Sequence, residues 1–281
     1  MSLPHLPTSA NFHQDIILHI QYMVFGFYLT AVLALVGFPN IMSLKVELTV
    51  NIIPFVLSII VVSSIFFLCR TSSKDEIVSE SIHYWISISA MIAPLLVGIL
   101  AGITGEQEQE AGNYQVIRRS VHKGQNWLFK CIYLLFILTS FVLVSMVLLY
   151  IGIWGIYHPD NCTALLFLKT AIIFLIGLIF LVPFQLWSSF YYNIGASIGF
   201  GIFGTILVAY ISSFPIIEEN IWRFIPWIWS LKTTEIFVDN NNLYVQGFNL
   251  PLDLMIQILS TVLLFVGMMI WFRKWEGKTK G

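Results

Sequence analysis

Long apolar runs recur along the chain, at 16–38, 49–69, 83–104, 128–156, 164–186, 194–217 and 254–272, with no long polar stretch between any two of them. A helix that crosses a bilayer needs roughly 20 mostly apolar residues, because in hydrocarbon every backbone N–H and C=O must be paired within the segment. Each run meets that length. A membrane barrel would instead show alternating stretches of about ten residues, and the sequence has none. The pattern predicts an all-α integral membrane protein with six or seven spanning helices in one membrane domain.

Composition agrees and adds a constraint. Only 10% of the 281 residues are charged and 58% are hydrophobic, where a soluble domain carries about a quarter charged, so water is not the main solvent. A net charge of −1 gives no reason to expect a nucleic-acid partner, and the basic residues matter through their position. Lys and Arg close to span ends favour the cytoplasmic side. Arg118, Arg119, Lys123 and Lys130 lie between the third and fourth runs, and Arg273, Lys274, Lys278 and Lys280 follow the last. Four runs separate the two groups, an even number, so both are expected inside and the C-terminus is expected to be cytoplasmic. The loop around His158 and Asp160 and the stretch 218–253 then fall outside, and the turn 188–193 falls inside. By the same count 70–82 is outside despite Arg70 and Lys74, and an N-terminal tail without Lys or Arg starts outside. Lys169 lies near the outer end of its run, where an ammonium reaches the interface by snorkelling.

The chemistry of common membrane enzymes is missing. There is no G-x-x-x-x-G-K-[ST] phosphate loop and no H-E-x-x-H zinc motif. Cys69, Cys131 and Cys162 fit neither a metal spacing nor a C-x-x-C pair. Gly195, Ser197 and Gly199 match G-x-S-x-G, but the last histidine, His158, precedes them, so a serine followed by a histidine on a later span is unavailable. The same glycines form G-x-x-x-G, and with Gly201 and Gly204 they predict close helix packing. Gly98 and Gly102 repeat that spacing on the third run and are expected to favour tight pairing or dimerisation. No pair of Asp or Glu lies deep within the runs, so a proton relay lacks its groups and energy is expected to enter from outside the bilayer.

Two segments stand out. The connection 105–119 opens on Glu106, Glu108 and Glu110 and closes on Arg118 and Arg119. Glu106 and Glu110 are one helical turn apart, as are Glu110 and Tyr114, so a short helix emerging from the membrane would present both carboxylates and an aromatic on one face. Such a face can dock a soluble partner; the plainer reading is a solvated loop. The second segment, 221–231, is apolar but too short to span, interrupted by Pro226, with Trp222, Trp227 and Trp229 suited to a headgroup boundary. It reads as a re-entrant hairpin or a surface-lying anchor.

At 105–119 the chain resembles the ABC type-2 permeases, in particular the lantibiotic-immunity permease subunits, where an E-x-E-x-x-AGN-Y/F-Q-like stretch follows the second family span. Glu108, Ala111, Gly112, Asn113, Tyr114 and Gln115 carry the likeness. It continues at 42–48, at His83, Tyr84, Trp85 and Ile86, and at Trp275, Glu276, Gly277 and Lys278, and covers roughly 42–281. The resemblance implies a six-helix permease core with re-entrant segments before its last span. It also implies a coupling helix over Glu106–Arg119, including Gln115 and Arg118, that touches a separate ATPase subunit holding the ATP and Mg. A second permease subunit, identical or related, would complete the pathway. The chain itself would then be no enzyme. The implied function is export of a lantibiotic or similar antimicrobial peptide for self-immunity; another amphipathic antibiotic or lipid is the alternative cargo, and a non-transporting scaffold or sensor the alternative class. Residues 1–41 exceed the family unit, either as an extra apolar helix or as an overlong start. Lacking a basic n-region, they do not read as a signal peptide.

Overall fold

The computed structural model of the chain describes residues 44–73, 76–110, 114–115, 119, 123–159, 162–213, 221–240, 244–245 and 248–275. The apolar run at 16–38 lies outside them. By internal packing the chain divides into residues 1–50 and 51–281. Of the first unit, 44–50 is described and is helical; all packing below is within the second.

The apolar runs fold as helices: α1 (Leu44–Leu68), α2 (Ile77–Glu110), α3 (Lys123–Tyr157), α4 (Ala164–Leu178), α5 (Leu181–Tyr191), α6 (Ile194–Ser213), α7 (Trp229–Asn240) and α8 (Leu250–Lys274). A two-residue antiparallel ladder, Tyr244–Val245 with Phe248–Asn249, precedes α8. Among the described residues, five stretches are long and apolar enough to cross a membrane: Ile77–Glu110, Lys123–Tyr157, Ala164–Tyr191, Ile194–Ser212 and Leu252–Lys274. The chain is an all-α, multi-pass membrane protein. Large apolar side chains stand exposed along α3 and α8, among them Phe129, Phe136, Leu259 and Leu263, a surface that water would penalise and acyl chains accept.

The run at 164–186 is a span with a break. Pro183 has no N–H to give the carbonyl four residues back, and the helix opens at Ile179 and Phe180 into α4 and α5.

The central element is α2, buried on every side from Ser89 through Gly102. Its closest neighbour is α6, and the reason is glycine. A β-carbon on Gly98 would lie 2.7 Å from the Ser197 carbonyl, and one on Gly201 would lie 2.9 Å from the Pro94 carbonyl. The Ser197 hydroxyl donates to the Gly98 carbonyl at 2.8 Å, and the Thr205 hydroxyl donates to the Met91 carbonyl at 2.9 Å. Backbones this close gain dispersion contacts and interhelical hydrogen bonds where lipid supplies no hydrophobic drive. Gly102 takes part too, against Ile194. The expectation for Gly195 and Gly199 needs correcting. Gly199 faces open space and Gly195 meets only its neighbour Asn193, so within the chain the close seam on α6 runs through Gly201 and Gly204 instead.

The segment 221–231 packs inward. Two 3-10 turns, Ile221–Phe224 and Pro226–Ile228, lead into α7. Trp222, Ile228 and Trp229 are buried. Trp227 lies directly over Gly204, and Gly177 on α4 lets the Ser230 backbone approach. On α7, Phe237 meets Ile173 of α4, with Leu254 of α8 beside them. Pro226 sits at the first position of its turn, where a missing N–H costs nothing.

Candidate partner-docking site

The acidic stretch does not form a separate short helix. It is the last turn and a half of α2, which at 34 residues is about 51 Å long, against a hydrocarbon core of about 30 Å. Gly105 makes the exit possible: a β-carbon there would collide with the Ser189 hydroxyl of α5. Beyond it, Glu106, Gln109 and Glu110 are exposed, whereas Glu108 turns toward α3 and pairs with Lys130, both partly buried.

Tyr114 departs from its expected place on the docking face. The helix stops at Glu110, and Tyr114 sits in the left-handed region at φ 63° with its N–H donating to the Glu108 carbonyl at 3.0 Å. That bond gives the Glu108 carbonyl, in the last turn of α2, a partner. A left-handed tyrosine costs about 1–2 kcal/mol, and packing offsets it. The ring is 1% exposed, 5.7 Å from Phe190 of α5 and 5.2 Å, edge-on, from Trp275 after α8. Its hydroxyl donates to Gln109 at 3.2 Å. Burial first, then the Glu108 and Glu106 carboxylates, push the phenol above its ordinary range.

Phe190, Phe272 and Trp275 join Tyr114 in one aromatic cluster. Lys123, opening α3, donates to the Trp275 carbonyl at 3.0 Å. The ends of α2, α3, α5 and α8 are thus tied together. Trp275 was legible in the sequence as part of a tail motif, but not as the partner of Tyr114; Phe190 and Phe272 gave no sign beyond being aromatics at span ends. A cleft of about 320 Å³ opens between this tip and the α5–α6 turn, lined by Glu106, Gln109, Glu110, Ser189 and Asn193.

Gln115 and Arg119 are exposed. Ala111, Gly112, Asn113 and Arg118 lie outside the described residues, as do Glu276, Gly277, Lys278 and Lys280. The other expected site, around Trp222, Pro226, Trp227 and Trp229, stands apart from this cluster in the packing of α7. There sequence reasoning missed a charge pair. Asp253, placed in a loop by its hydropathy, lies in the first turn of α8 with its side chain 1% exposed, 2.7 Å from Arg223 Nε.

No family model, curated protein or solved structure matches the chain.

Proposed function

We propose that this chain is the membrane-spanning permease subunit of an ABC exporter, with α1 completing a six-helix core. The carrying observation is the rigid, acid-tipped end of α2. It extends past the thickness of a bilayer, keeps Glu106 and Glu110 free of the Glu108–Lys130 pair that ties it to α3, and is anchored through Tyr114 to the ends of α5 and α8. Force applied at such a tip reaches the buried length of α2 without being lost in a loop. Since the sequence has no phosphate-cradling loop, ATP hydrolysis belongs to a separate cytoplasmic subunit docked at this tip. Closure of two such subunits would tilt α2 and, through the Gly98–Gly201 seam, α6 with it. The inward packing of 221–231 supports its reading as a re-entrant hairpin on the outer side.

The cargo proposed is a lantibiotic or similar membrane-active peptide expelled from the producer's own membrane. Cells expressing the chain with its neighbouring genes should tolerate such a peptide better than cells lacking it. Equal sensitivity to the peptide, with altered tolerance to a non-peptide amphiphile, would move the cargo to a lipid or another antibiotic.

A further inference from the structure

The segment 221–240 is fastened by two ion pairs of different kinds. At its start, Arg223 Nε lies 2.7 Å from Asp253 Oδ1 on α8, and a guanidinium keeps its charge at any pH a cell meets. Near its end, His83 Nε2 on α2 lies 3.1 Å from Asp239 Oδ1 on α7, the side chains 37% and 55% exposed. Imidazole is the side chain whose charge ordinarily changes between pH 5 and 8.

We propose that the His83–Asp239 contact is a proton-dependent clasp, holding α7 against α2 when the imidazole is charged and releasing the end of α7 as that charge is lost. Such a clasp would let pH set how firmly the hairpin is seated while the Arg223–Asp253 pair keeps its base in place. Only the side of the membrane on which it acts rests on the topology proposed above.

The surrounding groups push in the same direction. One turn before Asp239, Glu235 pairs with Lys232 at 3.1 Å. Burial raises the Glu235 carboxyl above the usual range; Lys232 and then His83 oppose this, and Asp239 adds to it. A group raised in the folded state contributes stability at low pH that is lost as pH rises through its folded value. Loss of the Glu235 proton as pH rises thus places a negative charge beside Asp239. On α2, Glu80 accepts from Ser72. On α8, Asp253 is engaged by Arg223, and on α4 the charged residue is Lys169, which is exposed.

The test is hydrogen exchange of the full chain in lipid nanodiscs, following peptides from 229–240 between pH 5.5 and 8.5 after correction for intrinsic exchange. Opening of α7 should rise about five-fold across that range, the size expected of one partly exposed ion pair. Glu235→Gln, which removes that carboxyl's own contribution, should leave a His83-dependent step, and adding His83→Gln or Asp239→Asn to it should hold opening at its high-pH level throughout. Equal protection of wild-type α7 at all pH values would overturn the clasp. So would a pH dependence that survives either clasp variant in the Glu235→Gln background, or one abolished by Glu235→Gln alone. A chain that recruits no ATPase would leave these outcomes unaffected.

Discussion

Gly98 has no room for a β-carbon, and Gly199, two residues past Gly98's partner Ser197 and so on the opposite face of α6, has ample room. The sequence marked both with the same small-residue spacing, because G-x-x-x-G specifies a stripe on a helix without saying what lies opposite. Only the partner backbone separates them. Gly98→Leu should therefore destabilise the folded chain by at least about 3 kcal/mol, beyond ordinary overpacking, since carbonyl and α-carbon atoms cannot move aside. Gly199→Leu should stay within about 0.5 kcal/mol. Thermal melts of both variants in one detergent check this. Tyr114 is a second residue whose place depends on distant partners, 76 and 161 positions along the chain at Phe190 and Trp275; no local period could foretell it. Tyr114→Ala should cost about 3 kcal/mol by emptying the cluster, while Tyr114→Phe, which loses the bond to Gln109 and keeps the ring, should cost about 1 kcal/mol.

At the scale of elements, hydropathy located the spans and understated their ends. The apolar run 83–104 became a helix over Ile77–Glu110, because apolarity reports only the part of a helix that meets lipid, while hydrogen bonding continues into polar turns. The same effect hid Asp253, which precedes the run at 254–272 yet is buried inside the helix. Breaking the Arg223–Asp253 pair from one side leaves a buried charge uncompensated. Arg223→Ala should destabilise α8 docking by about 3 kcal/mol, and Arg223→Met with Asp253→Leu by clearly less. Denaturation of the single and double variants, read by exchange of 250–274, separates these outcomes.

For the whole molecule, the fold class was legible because a bilayer permits so few backbone solutions, and orientation was readable only as a charge bias. The native cysteines offer a direct check. Cys69 and Cys131 are buried, and Cys162, in the α3–α4 connection, is partly open. A membrane-impermeant maleimide should label Cys162 in intact cells and spare the other two. Burial pushes the Cys162 thiol up, so labelling should quicken as pH rises past the ordinary thiol range. Labelling only after the membrane is opened would invert the proposed topology.

The central claim is that the α2 tip carries an ATPase, and it is tested most directly by purifying the tagged chain from its native membranes. Wild type should be compared with Glu106→Lys plus Glu110→Lys, which spares the Glu108–Lys130 pair and the Tyr114 cluster. The account predicts that an ATP-hydrolysing subunit co-purifies with wild type and is lost from the folded variant. An ATPase bound equally to both would move the contact elsewhere, and wild type that never brings one down would contradict the exporter altogether.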